Sequence, residues 1–397
     1  MSTSPIQRSE RPSAHVRQLF LGLDPLLLLA AAGLVVCSFL TLRNLPASIY
    51  GSEAHKQVFY AAGGVVVALL VSRFDYTLLR EYRYVFYGLA IVLNLVVFAF
   101  PAPPGAGAQR WIPFPGFSFQ SSEFGKILIV LSLAAFAVDR SRRLSEHRTM
   151  ARLILLALIP AMIVMKQPDL GTGLIYVIIA IAVLYFLGTS WKHLGALGAL
   201  VVVAAVLVVV VAPTFGVHLL KGYQSQRLTT FLNPPAYCNA QKDTTCYQLQ
   251  QSLIAIGSGQ KTGVGAANAT QAIGGYLPVA SSDFVFAALA ETYGFAGAAV
   301  LLSLYALLIW RTIRIVTMAK NLYGTLIAGS ILAMFMFQTF LNIGMTLGIM
   351  PVTGVPLPLV SYGGSSVLVT FLAIGLLESI HVQARATSAG KAKVLIV

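Results

Sequence analysis

With 397 residues, 57% of them hydrophobic and only 10% charged, the chain leaves no room for a separate soluble domain. Its formal net charge of +14 would suit nucleic acid, but the basic residues do not gather into a face with interleaved aromatics, which excludes that partner. Charge-free runs such as Leu194 to Pro213 are long enough to cross a hydrocarbon core of about 30 Å as helices.

Residues 1–23 carry Arg8, Arg11 and Arg17 and read as a solvated tail, and the apolar run after them has no small-residue cleavage pattern, so it reads as a first anchor. The spans fall near 24–43, 57–73, 84–100, 124–139, 151–166, 171–187, 194–213, 285–310, 323–346 and 365–380, followed by a short tail, 381–397. The expectation is one all-α, polytopic membrane domain over 24–380 with ten helices. Between the seventh and eighth spans lies the one long connection, 214–284, rich in polar residues. A cytoplasmic N-terminus puts 18 of the 27 Lys and Arg residues on inward segments, from Arg73, Arg80 and Arg83 to Arg311, Arg314 and Arg385. Both termini are then inside, and the long loop faces outward.

The six His are scattered without metal-ligand spacing, so a preassembled transition-metal centre is not expected. Neither a GxSxG elbow nor a GxxxxGK[ST] phosphate loop occurs, which excludes that kind of serine hydrolase and a P-loop motor. Of thirteen acidic residues seven sit on or near the inner side, leaving Glu53, Glu123, Asp169, Asp243, Asp283 and Glu291 for outward chemistry.

Four polar stretches mark the outer ends of the spans. The first, Gln109 to Lys126, sets Arg110 among Trp111, Phe114, Phe117 and Phe119, as suits a headgroup-level segment whose guanidinium can bind phosphate. Glu123 and Lys126 share a helix face there and can pair, and an aromatic belt with a structural ion pair is the plain alternative. In the second, Lys166-Gln167-Pro168-Asp169, the aspartate can cap the sixth span, although a charge at membrane depth is usually functional. The long loop is the third, with Arg227, Gln251 and Asp283, the last also a good helix start after Ser281 and Ser282. The fourth runs from Asn342 through Pro351 to Ser361, Ser365 and Ser366; its Pro and Gly content rules out a straight helix and calls for a protein-lined or polar cavity. Cys238 and Cys246, both in the outward loop, are expected to form a disulfide, and Cys37, in an apolar span, to be an inert buried thiol.

The motifs FSFQSSEFGK, KQPDLGTG, QRLTTFLNP, QQSLIAIGSG, DFVFAALAETYGFAG and PVTGVPLPLVSYGGSS, in this order, resemble the SEDS family of cell-wall proteins (RodA, FtsW and SpoVE). Residues 167–172 and 342–345 are more similar to the RodA branch than to the division branch, FtsW. The resemblance implies a peptidoglycan glycosyltransferase of the bacterial cytoplasmic membrane, which polymerises lipid II at the outer face during cell elongation and shape maintenance. It further implies Asp283 as the catalytic carboxylate, and Arg110, Glu123, Lys126, Asp169, Arg227, Gln251, Ser361 and Ser365 as substrate-binding residues. A divalent cation, magnesium or manganese, is expected with Asp283 and Asp169 as candidate ligands, and a class B penicillin-binding protein and the elongation machinery as partners. Two departures stand out: Ser121 sits where the family commonly has Pro, and Val279, Ala280 and Ser281 replace an acidic or His-containing stretch, leaving Asp283 the sole acid of its motif. A lipid II flippase and a non-catalytic scaffold for a transpeptidase are the alternatives from other classes.

Overall fold

The computed structural model describes residues 22–100, 111–114, 117–141, 147–167, 169–206, 227, 231 and 244–394. A helix lies on each predicted span: α1 (Pro25–Leu42), α2 (Glu53–Arg73), α3 (Arg83–Val96), α4 (Ser121–Asp139), α5 (His147–Lys166), α6 (Leu170–Phe186), α7 (Trp191–Val206), α9 (Val285–Met318), α10 (Leu322–Thr346) and α11 (Gly364–Val394). Among the described residues seven helices are long and apolar enough to cross a membrane, and Leu170–Phe186 is apolar but shorter. The long loop contributes a further helix, α8 (Thr244–Gly259), and the short turn Thr270–Ile273.

The starts of these helices follow from local chemistry. Asp24 accepts from the Leu26 and Leu27 amides with Pro25 at the first helical position, and Asn321 accepts from the Gly324 amide at 2.8 Å. The all-α expectation gains one small exception, an antiparallel hairpin of β1 (Trp111–Phe114) and β2 (Phe117–Gln120), with Trp111 opposite Gln120. It occupies the aromatic stretch expected to lie along the headgroups.

Helices α4, α10 and α11 are mostly buried within the protein, whereas α2 and α3 present Phe59, Val66, Leu70, Tyr84 and Val85 outward, where lipid is as apolar as they are. At the inner end Arg311 forks onto Asp24 at 2.6 and 2.8 Å, the Asp24 amide donates to Glu378, and Arg80 and Arg83 pair with Asp139. α11 continues to Val394, through part of the segment read as the C-terminal tail, with His381 and Ala384 buried.

The eighth span is broken rather than continuous. Gly294 in α9 has φ 63° and ψ −161°, which no helix contains, and the backbone groups freed there pair with the chain that follows α8. Val264 and Gly265 amides donate to the carbonyls of Glu291 and Thr292, while Phe295 and Ala296 amides donate to those of Gln260 and Lys261. Glu291 adds its side chain, accepting from the Gln271 and Ala272 amides at 2.9 Å each. The outward loop is thereby stitched into the membrane domain as part of its wall.

Candidate active site

The Pro-rich stretch 351–363 enters the outer end of the bundle as irregular backbone. Its bonds are made by protein, as membrane depth requires. Ser38 donates to the Val360 carbonyl at 2.7 Å, Tyr305 to that of Pro358 at 2.6 Å, and Gln57 to that of Ser361 at 3.1 Å. Gln57 and Ser38 lie in apolar runs of α2 and α1, and a polar residue inside a span is the only signal in the sequence that marks them.

Against this stretch sits the start of α9. The helix cap position is Phe284, which makes no side-chain cap bond. Three successive carbonyls before the helix are clamped from outside instead: Ser281 by the Tyr362 amide at 2.8 Å, Ser282 by the Ser361 hydroxyl, and Asp283 by the Asn342 side-chain amide at 3.0 Å. The clamps are themselves held, since Ser361 accepts from the Leu357 amide at 2.8 Å and Asn342 also donates to Val355 at 2.8 Å. Because both partners of the Asn342 nitrogen are carbonyls, its amide orientation is determined.

A second group of the predicted residues meets beside α11. Ser365 accepts from the Gln120 amide at 3.0 Å and donates to the Ser118 carbonyl at 2.9 Å, joining α11 to the hairpin. Asp169 caps α6 through Thr172 at 3.2 Å, and its other oxygen accepts from Ser122 at 3.2 Å and Gln120 at 3.4 Å. A methyl group added at Gly171 would touch Val355 and approach the Thr353 carbonyl, so α6 begins directly on the Pro-rich stretch. The Lys126 ammonium bonds both oxygens of Glu123 at 2.8 Å, and the two side chains are 1% exposed.

These positions assign the predicted binders different tasks. Asp169, Glu123, Lys126, Ser361 and Ser365 are buried and engaged by protein groups. Gln251 is half-buried on α8 and Arg227 half-buried in the loop, whereas Arg110 and Cys238 lie outside the described residues. Cys246 is buried and disulfide-bonded, and Cys37 is a free thiol. No group of three His, Cys, Asp or Glu placed to hold a metal ion occurs among the described residues. Asp169, a candidate ligand, accepts from three protein donors.

Fold and site together define a multi-pass helical membrane protein whose polar centre lies at the outer ends of its helices. A family model described as Cell cycle protein, covering FtsW, RodA and SpoVE, matches residues 21–386, and the chain belongs to that family. The peptidoglycan glycosyltransferase MrdB of Escherichia coli (strain K12) is 35% identical over 359 residues, which cover 90% of this chain and 93% of that protein. The peptidoglycan glycosyltransferase RodA of Treponema pallidum (strain Nichols) is 31% identical, with 85% of this chain and 92% of that protein covered. Among solved structures, a chain of a peptidoglycan synthase complex superimposes with a TM-score of 0.75 at 28% identity, covering 92% of this chain and 99% of the other. The rod shape determining protein RodA of Thermus thermophilus does so with a TM-score of 0.65 at 26% identity, covering 91% and 97%.

Proposed function

We propose that this protein polymerises lipid II into glycan strands at the outer membrane face, with Asp283 as the general base, and that it serves cell elongation as RodA-type proteins do. The glycosyltransferase activity rests on family membership and on relatives of nearly full coverage that carry that name. The observation that supports Asp283 is the clamping of its backbone by Tyr362, Ser361 and Asn342 from two separate elements. Such rigidity is what a proton acceptor needs to meet a hydroxyl at a set distance.

In the reaction Asp283 takes the proton of the acceptor sugar's 4-hydroxyl as that oxygen bonds to the donor's anomeric carbon. The bond from that carbon to the pyrophosphate breaks, and the lipid pyrophosphate leaves with the electron pair. Arg110 and Arg227 are the cations proposed for the pyrophosphate. Asp283 and Asp169 are the carboxylates proposed for a divalent cation bound with substrate.

We further propose a class B penicillin-binding protein as partner, its single span lying against α9 and α10. Phe295, Val300, Met336 and Phe340 on these helices are exposed, and Ala296 and Gly297 allow close helix approach.

Purified protein and lipid II test the reading. Wild type should form glycan polymer, and Asp283→Asn should remain folded and bind lipid II while turning over about 10² to 10⁴ times more slowly. An active Asp283→Asn protein would refute the assignment, and wild type that moves lipid II across vesicles without polymer would favour a flippase.

A further inference from the structure

Three elements hold the turn that carries Asp283, and one of them lies outside every motif that the sequence displays. The Pro-rich stretch and α10 grip the carbonyls of residues 281–283. The connection between α1 and α2 reaches the same turn slightly earlier in the chain. There the Tyr50 hydroxyl accepts from the Ala280 amide and donates to the Leu277 carbonyl, each at 3.3 Å. We propose that Tyr50 is a positioning residue for Asp283, fixing residues 277–280 so that the aspartate is presented to substrate in one place. The proposal rests on the reading of Asp283 as the general base.

The turn has reason to need such a hold. Val279 adopts φ +56°, a left-handed conformation that a β-branched residue resists. Strain of this kind persists only where the surroundings over-determine it. Packing on the Val279 side chain does not supply the constraint, because that residue is 41% exposed. Backbone bonds supply it instead. The Ser282 and Phe284 amides fold back on the Val279 carbonyl at 3.1 and 3.3 Å, and Tyr50 ties Leu277 and Ala280, which flank the strained position, to a single hydroxyl.

Tyr50 is itself firmly mounted. It closes the helical turn Ala47–Tyr50, its amide donating to the Pro46 carbonyl at 2.9 Å and the Gly51 amide to that of Ala47 at 2.8 Å. Its side chain packs on an apolar cluster in which Leu42, Leu45 and Ala54 meet Leu277, Ala280 and Phe284. Leu277 and Ala280 are fully buried, so the two backbone groups that Tyr50 engages have no water to turn to. Burial pushes the Tyr50 hydroxyl above the usual phenol range, which keeps it protonated and able to donate. Tyr293 offers a matched comparison: its hydroxyl accepts from the Asn44 side chain at 2.9 Å and donates to the Leu40 carbonyl at 3.2 Å, a bond pair of the same kind that joins α9 to the end of α1.

Turnover at saturating lipid II and the half-saturating lipid II concentration, measured on the purified full-length protein, separate positioning from packing and from substrate contact. Tyr50→Phe keeps the ring and removes both bonds. It should lower turnover about 10- to 100-fold, with the half-saturating concentration within about twofold of wild type. Tyr293→Phe should lower the unfolding temperature in detergent by a similar amount and leave turnover per folded molecule unchanged. Hydrogen exchange at the Ala280 and Ser282 amides should quicken in Tyr50→Phe and not in Tyr293→Phe. Tyr50→His, whose imidazole keeps a hydrogen-bonding edge, should show a smaller loss of turnover, and it carries the comparison if Tyr50→Phe does not fold. Full turnover in the Tyr50 variants beside an inactive Asp283→Asn would overturn the proposal while leaving the general base in place. A loss expressed only in the half-saturating concentration, or an equal loss of turnover in Tyr293→Phe, would also overturn it, and an active Asp283→Asn would overturn both readings.

Discussion

Glu123 and Lys126 show how burial changes the meaning of a residue pair. An i,i+3 pair on an exposed helix contributes a few tenths of a kcal/mol, but here both side chains are 1% exposed and the ammonium spans both carboxylate oxygens. Removing one partner strands a buried charge. Lys126→Met is therefore expected to destabilise the protein by about 3–5 kcal/mol, and Lys126→Met with Glu123→Gln to recover most of that loss; thermal unfolding in detergent measures both. The cysteines make a second prediction at this scale. We predict Cys238 as the partner of Cys246, so that unfolding without reductant exposes one alkylatable thiol, Cys37. Mass spectrometry finding Cys238 and Cys246 both alkylated before reduction would exclude the bridge. Spacing alone revealed the Glu123–Lys126 contact, yet it could not show that Asp169 both caps α6 and accepts from Ser122 and Gln120, residues nearly fifty positions away.

Among the elements, α9 departs furthest from what a hydropathy profile predicts. Its apolar run is unbroken, but Gly294 interrupts the helix and the loop after α8 fills the gap with four backbone hydrogen bonds. Two other glycines make the approach possible. A Cβ at Gly259 would lie 2.0 Å from the Ala290 carbonyl, and one at Gly263, where φ is +83°, would lie 2.2 Å from that of Thr292. Gly263→Ala is expected to cost at least the roughly 1–3 kcal/mol of a strained backbone and to loosen α8 from α9. Faster hydrogen exchange at the amides of Val264, Gly265, Phe295 and Ala296 would register that loosening, and unchanged protection would contradict it. The positions of the spans were legible because apolar length is a local property; the break was not, because it depends on what lies alongside.

Across the whole molecule the polar groups divide between two ends. The inner end closes with Asp24, Arg311 and Glu378 binding α1, α9 and α11 together, while the outer end carries the Asp283 turn, the Pro-rich stretch and the hairpin. Arg311→Met would leave Asp24, which is fully buried, without its guanidinium, and a loss of about 3–5 kcal/mol is expected. Polymerisation by the surviving folded fraction should be unchanged per molecule, since no bond of the outer site involves Arg311. A lowered turnover per folded molecule would show instead that the two ends are coupled.

The sequence by itself determined the membrane class, the ten spans, the outward loop and the family, because apolar length, charge asymmetry and ordered motifs are written along the chain and need no partner to be read. It also marked Asp283, Asp169 and the Glu123–Lys126 pair as residues of interest. Only the tertiary structure decided which groups they meet. Gln57 on α2, Asn342 on α10 and Ser361 before α11 converge on the chain around Asp283 from positions up to about 300 residues apart. Hydrogen bonds of that kind follow from how helices pack in lipid, where each buried polar group must find a partner within the protein, and no local pattern of residues encodes which partner it will be.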